Sequence, residues 1–431
     1  MSEIKKESIS RSKKYLIYLF VILFIVQILD SYVSLYNNVV PSKVIEQFLP
    51  GFEKNVAESI MTFCLFIASF GAFLAFFTHN ITDKIGRKIP LLLNVVLMGI
   101  ISLLIFFSVS IVDYTIYLLV LYILNYSDFW LMYVNEESPA EKKAFWTNMV
   151  LLGGVLGALL MPLFRAIFIT ETSPVGSWKG MTYLPIFMGI PLGIIIALTI
   201  KETSKYELIK NQKIEVNEKS SNFREGLKTI LKSDNKSAYL TIVVIYFIRG
   251  INQIFITLGE VIISSSPYLS EGEVALVILA MGISSIFGYL FTGILADKIG
   301  RKPLLYIYCA LFPIGMIFTF TGVNNPQYAF AMVTTGAVLS NLGYWGVWIT
   351  ISIIVIELVP TEVRGTGSGF KVLMGALGVT IGTLLSSFIA FFVGLEVALF
   401  GFSFLYLIGL PLNFLYLKET KGTDLSEVDK T

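Results

Sequence analysis

Asp83-Lys84-Ile85-Gly86-Arg87-Lys88 joins two long apolar runs, and Asp297-Lys298-Ile299-Gly300-Arg301-Lys302 joins another two later in the chain. The doubling extends to other motifs. Glu136-x-x-Pro139-x-x-x-Lys143 returns as Glu357-x-x-Pro360-x-x-x-Arg364, and Gly153-x-x-x-Gly157 as Gly378-x-x-x-Gly382. Lys201-Glu202-Thr203 returns as Lys418-Glu419-Thr420. The copies are separated by between 214 (83 to 297) and 225 residues (153 to 378), in the same order. Four motifs at so steady an offset mark a duplicated unit.

The runs around these motifs decide the fold class. Hydrophobic residues make up 55% of the 431 and charged ones 14%, against about 25% charged in a soluble domain. Crossing ~30 Å of hydrocarbon at 1.5 Å per residue takes about 20 apolar residues. Twelve such runs begin near Tyr15, Val56, Ile89, Tyr114, Phe145 and Thr182, then near Tyr239, Val274, Pro303, Ala329, Phe370 and Val397. The polar, charged stretch from Lys201 to Lys236 separates the sixth from the seventh. The pattern predicts an all-α membrane protein of twelve transmembrane helices, built as two six-helix bundles related by a parallel repeat: residues 1–200, a cytoplasmic linker 201–237, and 238–431. The apolar stretch from Tyr15 to Val40 is too long for the core of a cleaved signal peptide and reads as a permanent first helix.

The basic residues set the expected orientation. Of the 32 Lys and Arg, Lys43, Lys54 and Lys179 fall in one set of loops, and Arg165, Arg249 and Lys371 lie within spans, leaving 26 for the other set and the termini. The positive-inside rule then places both termini in the cytoplasm, and a plasma-membrane location is expected. A formal net charge of +2 suggests no nucleic-acid partner. Cys64 and Cys309 sit in apolar runs and read as packing residues. With the single histidine, His79, in a loop, neither a metal centre nor a cofactor is expected.

The stretch from Gly293 to Lys302 resembles the loop signature of the major facilitator superfamily. Tyr133-x-x-Glu136-x-x-Pro139, Trp178-Lys179-x-Met181 and Glu419-Thr420-Lys421-Gly422 are similar to its sugar-porter and metabolite–proton symporter branch. The loop chemistry is readable without the family: glycine permits the tight turn at Gly86 and Gly300, and the flanking charges can pair with each other or with neighbouring helix ends. Asp83, Gly86, Arg87, Glu136, Lys143, Asp297, Gly300, Arg301, Glu357 and Arg364 are therefore candidates for a conformational latch, which the resemblance also implies; the plainer reading is that they only set topology. Three departures matter. His79 stands where the family has glycine, Lys143 where it has arginine, and Arg249-Gly250-Ile251-Asn252-Gln253 replaces the sugar porters' glutamine pair, leaving the substrate open.

The resemblance implies that the first, fourth, seventh and tenth helices line a central cavity, and the polar residues within spans fall in those four. Candidate substrate contacts are Gln27, Ser34, Asn125, Asp128, Asn252, Gln253, Asn341 and Trp345, the last able to stack on a ring or simply to pack. A charge at bilayer depth costs ~2.5–3.5 kcal/mol, so it should meet a partner or a cavity. Asp30 and Arg249 lie near mid-membrane and are the candidate coupling pair, with a static bridge as the alternative. Arg165 and Glu260 lie near outer helix ends, where snorkelling to the interface accounts for them.

These residues point to a secondary active transporter of a small polar metabolite, coupled to protons and acting as a monomer in the lipid bilayer. An exporter or uncoupled facilitator on the same fold is the alternative; a non-transporting sensor would want a signalling domain. No phosphate-binding glycine loop suggests ATP drive, and no nucleophile–base or metal-ligand set suggests an enzyme.

Overall fold

The structure, a computed structural model, describes residues 11–125, 127, 129–139, 142–212 and 223–422, with side chains except at 75–84, 144, 209–212, 289, 290 and 361. Asp128 and the side chains of Asp83 and His79 therefore lie outside the described set. Among the described residues twelve helical spans are long and apolar enough to cross a membrane: Lys13–Val39, Lys54–Leu74, Lys88–Phe106, Ile111–Glu137, Phe145–Phe168, Val175–Thr199, Lys236–Ser264, Glu271–Gly288, Arg301–Val323, Ala329–Leu358, Arg364–Val393 and Leu395–Tyr416. Ten begin within three residues of where the hydropathy places them, and the sixth and eleventh begin seven and six residues earlier, at Val175 and Arg364; the helices form because hydrocarbon leaves a backbone no partner but its own helix. Leu198, 79% exposed, and Phe392, 73%, show that apolar side chains cover the outward faces as well as the core.

Among the described residues the seventh and twelfth spans are interrupted within their length. The seventh is a helix over Lys236–Ile251 and another over Gln253–Ser264, meeting at Asn252. The twelfth is a helix over Leu395–Ser403, a 3-10 stretch over Phe404–Ile408 and a helix over Gly409–Tyr416. The Lys201–Lys236 stretch carries helices at Ser204–Gln212 and Phe223–Lys232.

Contacts group the chain into two compact units. The first comprises Met1–Asn37, Phe70–Phe164 and Lys179–Glu218; the second comprises Asn38–Ser69, Arg165–Trp178 and Lys219–Thr431. Two stretches of the sequence's first half thus pack with the second.

The glycine repeats do the same job in both units. In the first, a Cβ at Gly153 or Gly157 would collide with the carbonyls of Phe24 or Ile28, so the fifth span lies directly against the backbone of the first. In the second, Gly378 and Gly382 meet the carbonyls of Phe247 and Ile251, packing the eleventh span on the seventh. Small residues permit such approach where lipid offers no hydrophobic gain between helices. Gly157→Leu should cost about 1–3 kcal/mol or more by overpacking and lower the melting temperature in detergent. Gly282→Leu, whose Cβ would meet nothing within 4 Å, should leave it unchanged; equal melting of the two variants would refute the close approach.

Candidate functional site

In the first unit Gly86 has φ +94°, a region that side chains disfavour. The turn presents the backbone N–H groups of Arg87 and Lys88 to Glu202, at 2.9 and 3.1 Å. The Arg87 guanidinium reaches Glu136 at 3.2 Å, and Thr203 Oγ1 donates to the same carboxylate at 2.6 Å. The second unit repeats this constellation. Gly300 has φ +97°, and the N–H groups of Arg301 and Lys302 donate to Glu419 at 2.8 and 3.1 Å. Arg301 forks onto Glu357, with Nη2 at 2.8 Å and Nε at 3.1 Å, and Thr420 Oγ1 donates to Glu357 at 2.6 Å. Burial pushes the Glu419 carboxyl up, but the N–H donors of Arg301, Lys421, Lys302 and Thr420 outweigh it and hold the pKa below the usual carboxylate value.

The expected latch residues are thus brought together in part. Arg87 meets Glu136 and Arg301 meets Glu357, each pair inside its own unit. Asp297 pairs with Arg301 at 3.1 Å but is 77% exposed, so Glu357 is the more sheltered partner. Lys143 is exposed. Arg364 is half-buried, and its Nε and Nη2 have no hydrogen-bond partner among the described residues. Glu202 and Glu419, which cap the turns, were not among the candidates; their own Lys-Glu-Thr repeat was the signal.

A second cluster corrects the snorkelling expectation. Arg165 is completely buried, and its Nη2 meets Glu260 Oε1 at 2.8 Å and Glu271 Oε2 at 3.1 Å. Its Nε donates to the Val39 carbonyl at 2.9 Å. Glu260 also accepts from Ser42 N at 2.9 Å, Ser42 Oγ at 2.6 Å and Ser264 Oγ at 2.8 Å. Lys43 joins Glu271 at 3.0 Å. Neither charge reaches for an interface, because each finds its partner inside the protein. The cluster ties stretches near Val39, Ser42 and Arg165, from the sequence's first half, to the seventh and eighth spans. Lys54 and Glu396, 2.9 Å apart, add a more exposed link of the same kind.

The candidate substrate residues divide between the units. In the first, Gln27 and Asp30 are buried, while Ser34 and Asn125 are half-buried. The side-chain carbonyl oxygens of Gln27 and Asn125 are buried without a hydrogen-bond partner among the described residues, so each can accept from a bound solute. In the second unit Arg249 is 8% exposed and lies among aromatic rings, its Cζ 4.1 Å from the Tyr344 centroid and 5.6 Å from that of Trp345. Gln253 accepts a hydrogen bond from Tyr344 Oη. Two candidates serve the scaffold instead. Asn341 Nδ2 contacts Met281 O, Ser284 Oγ and Ser285 Oγ on the eighth span, at 2.7, 2.9 and 2.7 Å. Asn252 Nδ2 donates back to the Ile248 carbonyl at 3.0 Å, across the helix break.

Twelve bilayer-length helices with doubled loop clusters and polar residues on a few spans define a multi-pass membrane protein of transporter design. The chain belongs to the Sugar (and other) transporter family of the Major Facilitator Superfamily: the family profile matches residues 15–243 and the superfamily profile residues 238–430. It is 27% identical over 191 residues to the glycine betaine/proline/ectoine/pipecolic acid transporter of Dickeya dadantii, covering 41% of this chain and 36% of that one. It is 29% identical over 117 residues to a low-affinity glucose transporter of Saccharomyces cerevisiae, covering 27% and 20%. These alignments span about a third or less of each relative's length. The fold is that of the xylose transporter of E. coli in an inward-open conformation, at a TM-score of 0.73 and 15% identity over 96% of this chain and 99% of that one.

Removing one partner of a buried ion pair strands the other, at about 3–5 kcal/mol. Arg165→Met and Glu260→Gln should each lower the melting temperature of the purified protein. The double variant should melt higher than the additive expectation; strict additivity would show that the two charges are not a pair.

Proposed function

We propose that this protein moves a small polar solute across the plasma membrane by alternating access, as a proton symporter acting as a monomer with both termini cytoplasmic. The observation that carries the reading is Arg249, a buried cation in the middle of a broken span, where an ionisable group is a functional candidate by default. Family membership and the polar relatives' substrates, betaine and glucose among them, support a small polar solute. The moving parts are the two six-helix bundles, 1–200 and 238–431, with the linker 201–237 between them. The loop clusters around Arg87 and Arg301 brace one state, and the Arg165–Glu260 cluster closes the outer end.

In this reading Asp30 carries the proton and Arg249 biases it. Desolvation favours the neutral carboxyl while a nearby cation opposes this, so a carboxylate set between the two effects can load on one side and release on the other. Arginine keeps its charge throughout.

The test is transport in proteoliposomes with a panel of labelled sugars, organic acids and amino acids, with and without a pH gradient. Wild-type protein should concentrate a solute when driven by pH. Asp30→Asn should lose that accumulation yet keep exchange of internal for external solute. Accumulation that survives Asp30→Asn removes Asp30 from the coupling, and uptake indifferent to pH favours an uncoupled facilitator; export from loaded vesicles would reverse the direction.

A further inference from the structure

The polar stretch before the seventh span contains a two-sided helix, Phe223–Lys232. At about 100° per residue, its positions sort into strips around the axis. Gly226 and Ile230, both buried, form the first. They face the entry of the eleventh span: a Cβ at Gly226 would come within 2.7 Å of Thr366 Oγ1, and one at Gly367 would meet Ile230 Cδ1 at 3.3 Å. Next comes an apolar strip that the protein leaves uncovered, Phe223 at 48% exposed and Leu231 at 39%, with half-buried Leu227 between them. Directly beside it runs a row of Arg224, Lys228 and Lys232, all exposed. Glu225 and Thr229, also exposed, complete the circle.

The helix is held where two spans enter the bilayer. Ser233, which follows it, is buried and donates from Oγ to the Ile230 carbonyl at 2.7 Å, and the seventh span begins at Lys236. Tyr239 Oη, on that span, donates to the Gly367 carbonyl of the eleventh at 2.8 Å. Like charges four residues apart on a helix repel, and none of the three basic side chains has an ion-pair partner among the described residues. Water also gains nothing from an apolar strip laid open beside them. A charged bilayer surface resolves both at once. An amphipathic helix of this order lies in the interface plane, its apolar strip at the acyl boundary and its long basic side chains reaching back to the phosphates. Each lysine or arginine beside an anionic leaflet favours the docked state by about fivefold.

We propose that Phe223–Lys232 is an interfacial helix that docks on anionic lipid headgroups, with Phe223 and Leu231 inserted and Arg224, Lys228 and Lys232 on the phosphates. Its partner is the leaflet beside the seventh and eleventh spans, so the inference stands apart from the identity of the solute and from proton coupling. The overall polarity of the stretch from Lys201 to Lys236 hides this helix from a hydropathy reading.

The experiment follows hydrogen exchange by mass spectrometry over residues 223–232 of the full chain in nanodiscs of phosphatidylcholine, alone or mixed with phosphatidylglycerol. The anionic discs should slow exchange by about tenfold or more, and about 1 M salt should remove the difference by screening. The triple variant Arg224→Gln, Lys228→Gln, Lys232→Gln should lose the dependence on lipid charge at an unchanged melting temperature, whereas Lys228→Arg keeps it. Phe223→Ser with Leu231→Ser should lose part of the protection in the anionic discs. Exchange indifferent to lipid charge, a lipid dependence that survives the triple variant or high salt, or equal protection from inorganic phosphate added to neutral discs overturns the proposal. Full protection in neutral discs, unchanged by either set of substitutions, also overturns it, in favour of a protein segment covering this face.

Discussion

A charge set within a bilayer-crossing helix has lost its water, and the protein must supply what the water did. Arg165, Arg249 and Lys371 are the buried cations among the described residues, and each is handled differently. Arg165 receives two carboxylates and a backbone carbonyl and is sealed from solvent. Arg249 is set among aromatic faces, and Lys371 is given a ring and a hydroxyl. The first arrangement is complete in itself and suits a closure.

The same economy governs the loops. A chain that reverses in a few residues leaves N–H groups that no helix satisfies. Glu202 and Glu419 each accept two of them, while Glu136 and Glu357 hold the adjacent arginine and a threonine hydroxyl. One design is built twice, from residues far apart in the chain, and glycine at positive φ makes room for it each time. In the second copy Arg301 engages Glu357 through two nitrogens, and in the first Arg87 Nε meets Glu136.

What was legible in the sequence follows from how locally each feature is encoded. The twelve spans were, because hydropathy over one helix is a local property. Arg87, Glu136, Arg301 and Glu357 stood out because they recur in both halves, but which arginine meets which glutamate did not. Glu202 and Glu419 were visible as a repeat but not as turn caps, since a carboxylate that caps a distant backbone carries no periodic signal. The pairing of Arg165 with Glu260, 95 residues apart, was hidden for the same reason, and snorkelling seemed sufficient. Asn341 shows the converse limit: a polar residue on the tenth span, expected to face a cavity, spends its amide on the eighth helix. Position along a span could be counted from sequence; the direction in which a side chain leaves it could not.

In the proposed mechanism the Arg165–Glu260 cluster holds one end closed and must separate for the other state to form. Ser265, half-buried at the end of the seventh span beside that cluster, reports on it directly. A Ser265→Cys variant, in a background without Cys64 and Cys309, would be modified in membrane vesicles by an impermeant maleimide, with and without Glu260→Gln. If the cluster is the closure, breaking it speeds modification several-fold, and Asp297→Asn, far from it in sequence and in a different cluster, does not reproduce the effect. Equal modification rates with Glu260 intact and replaced would contradict the account.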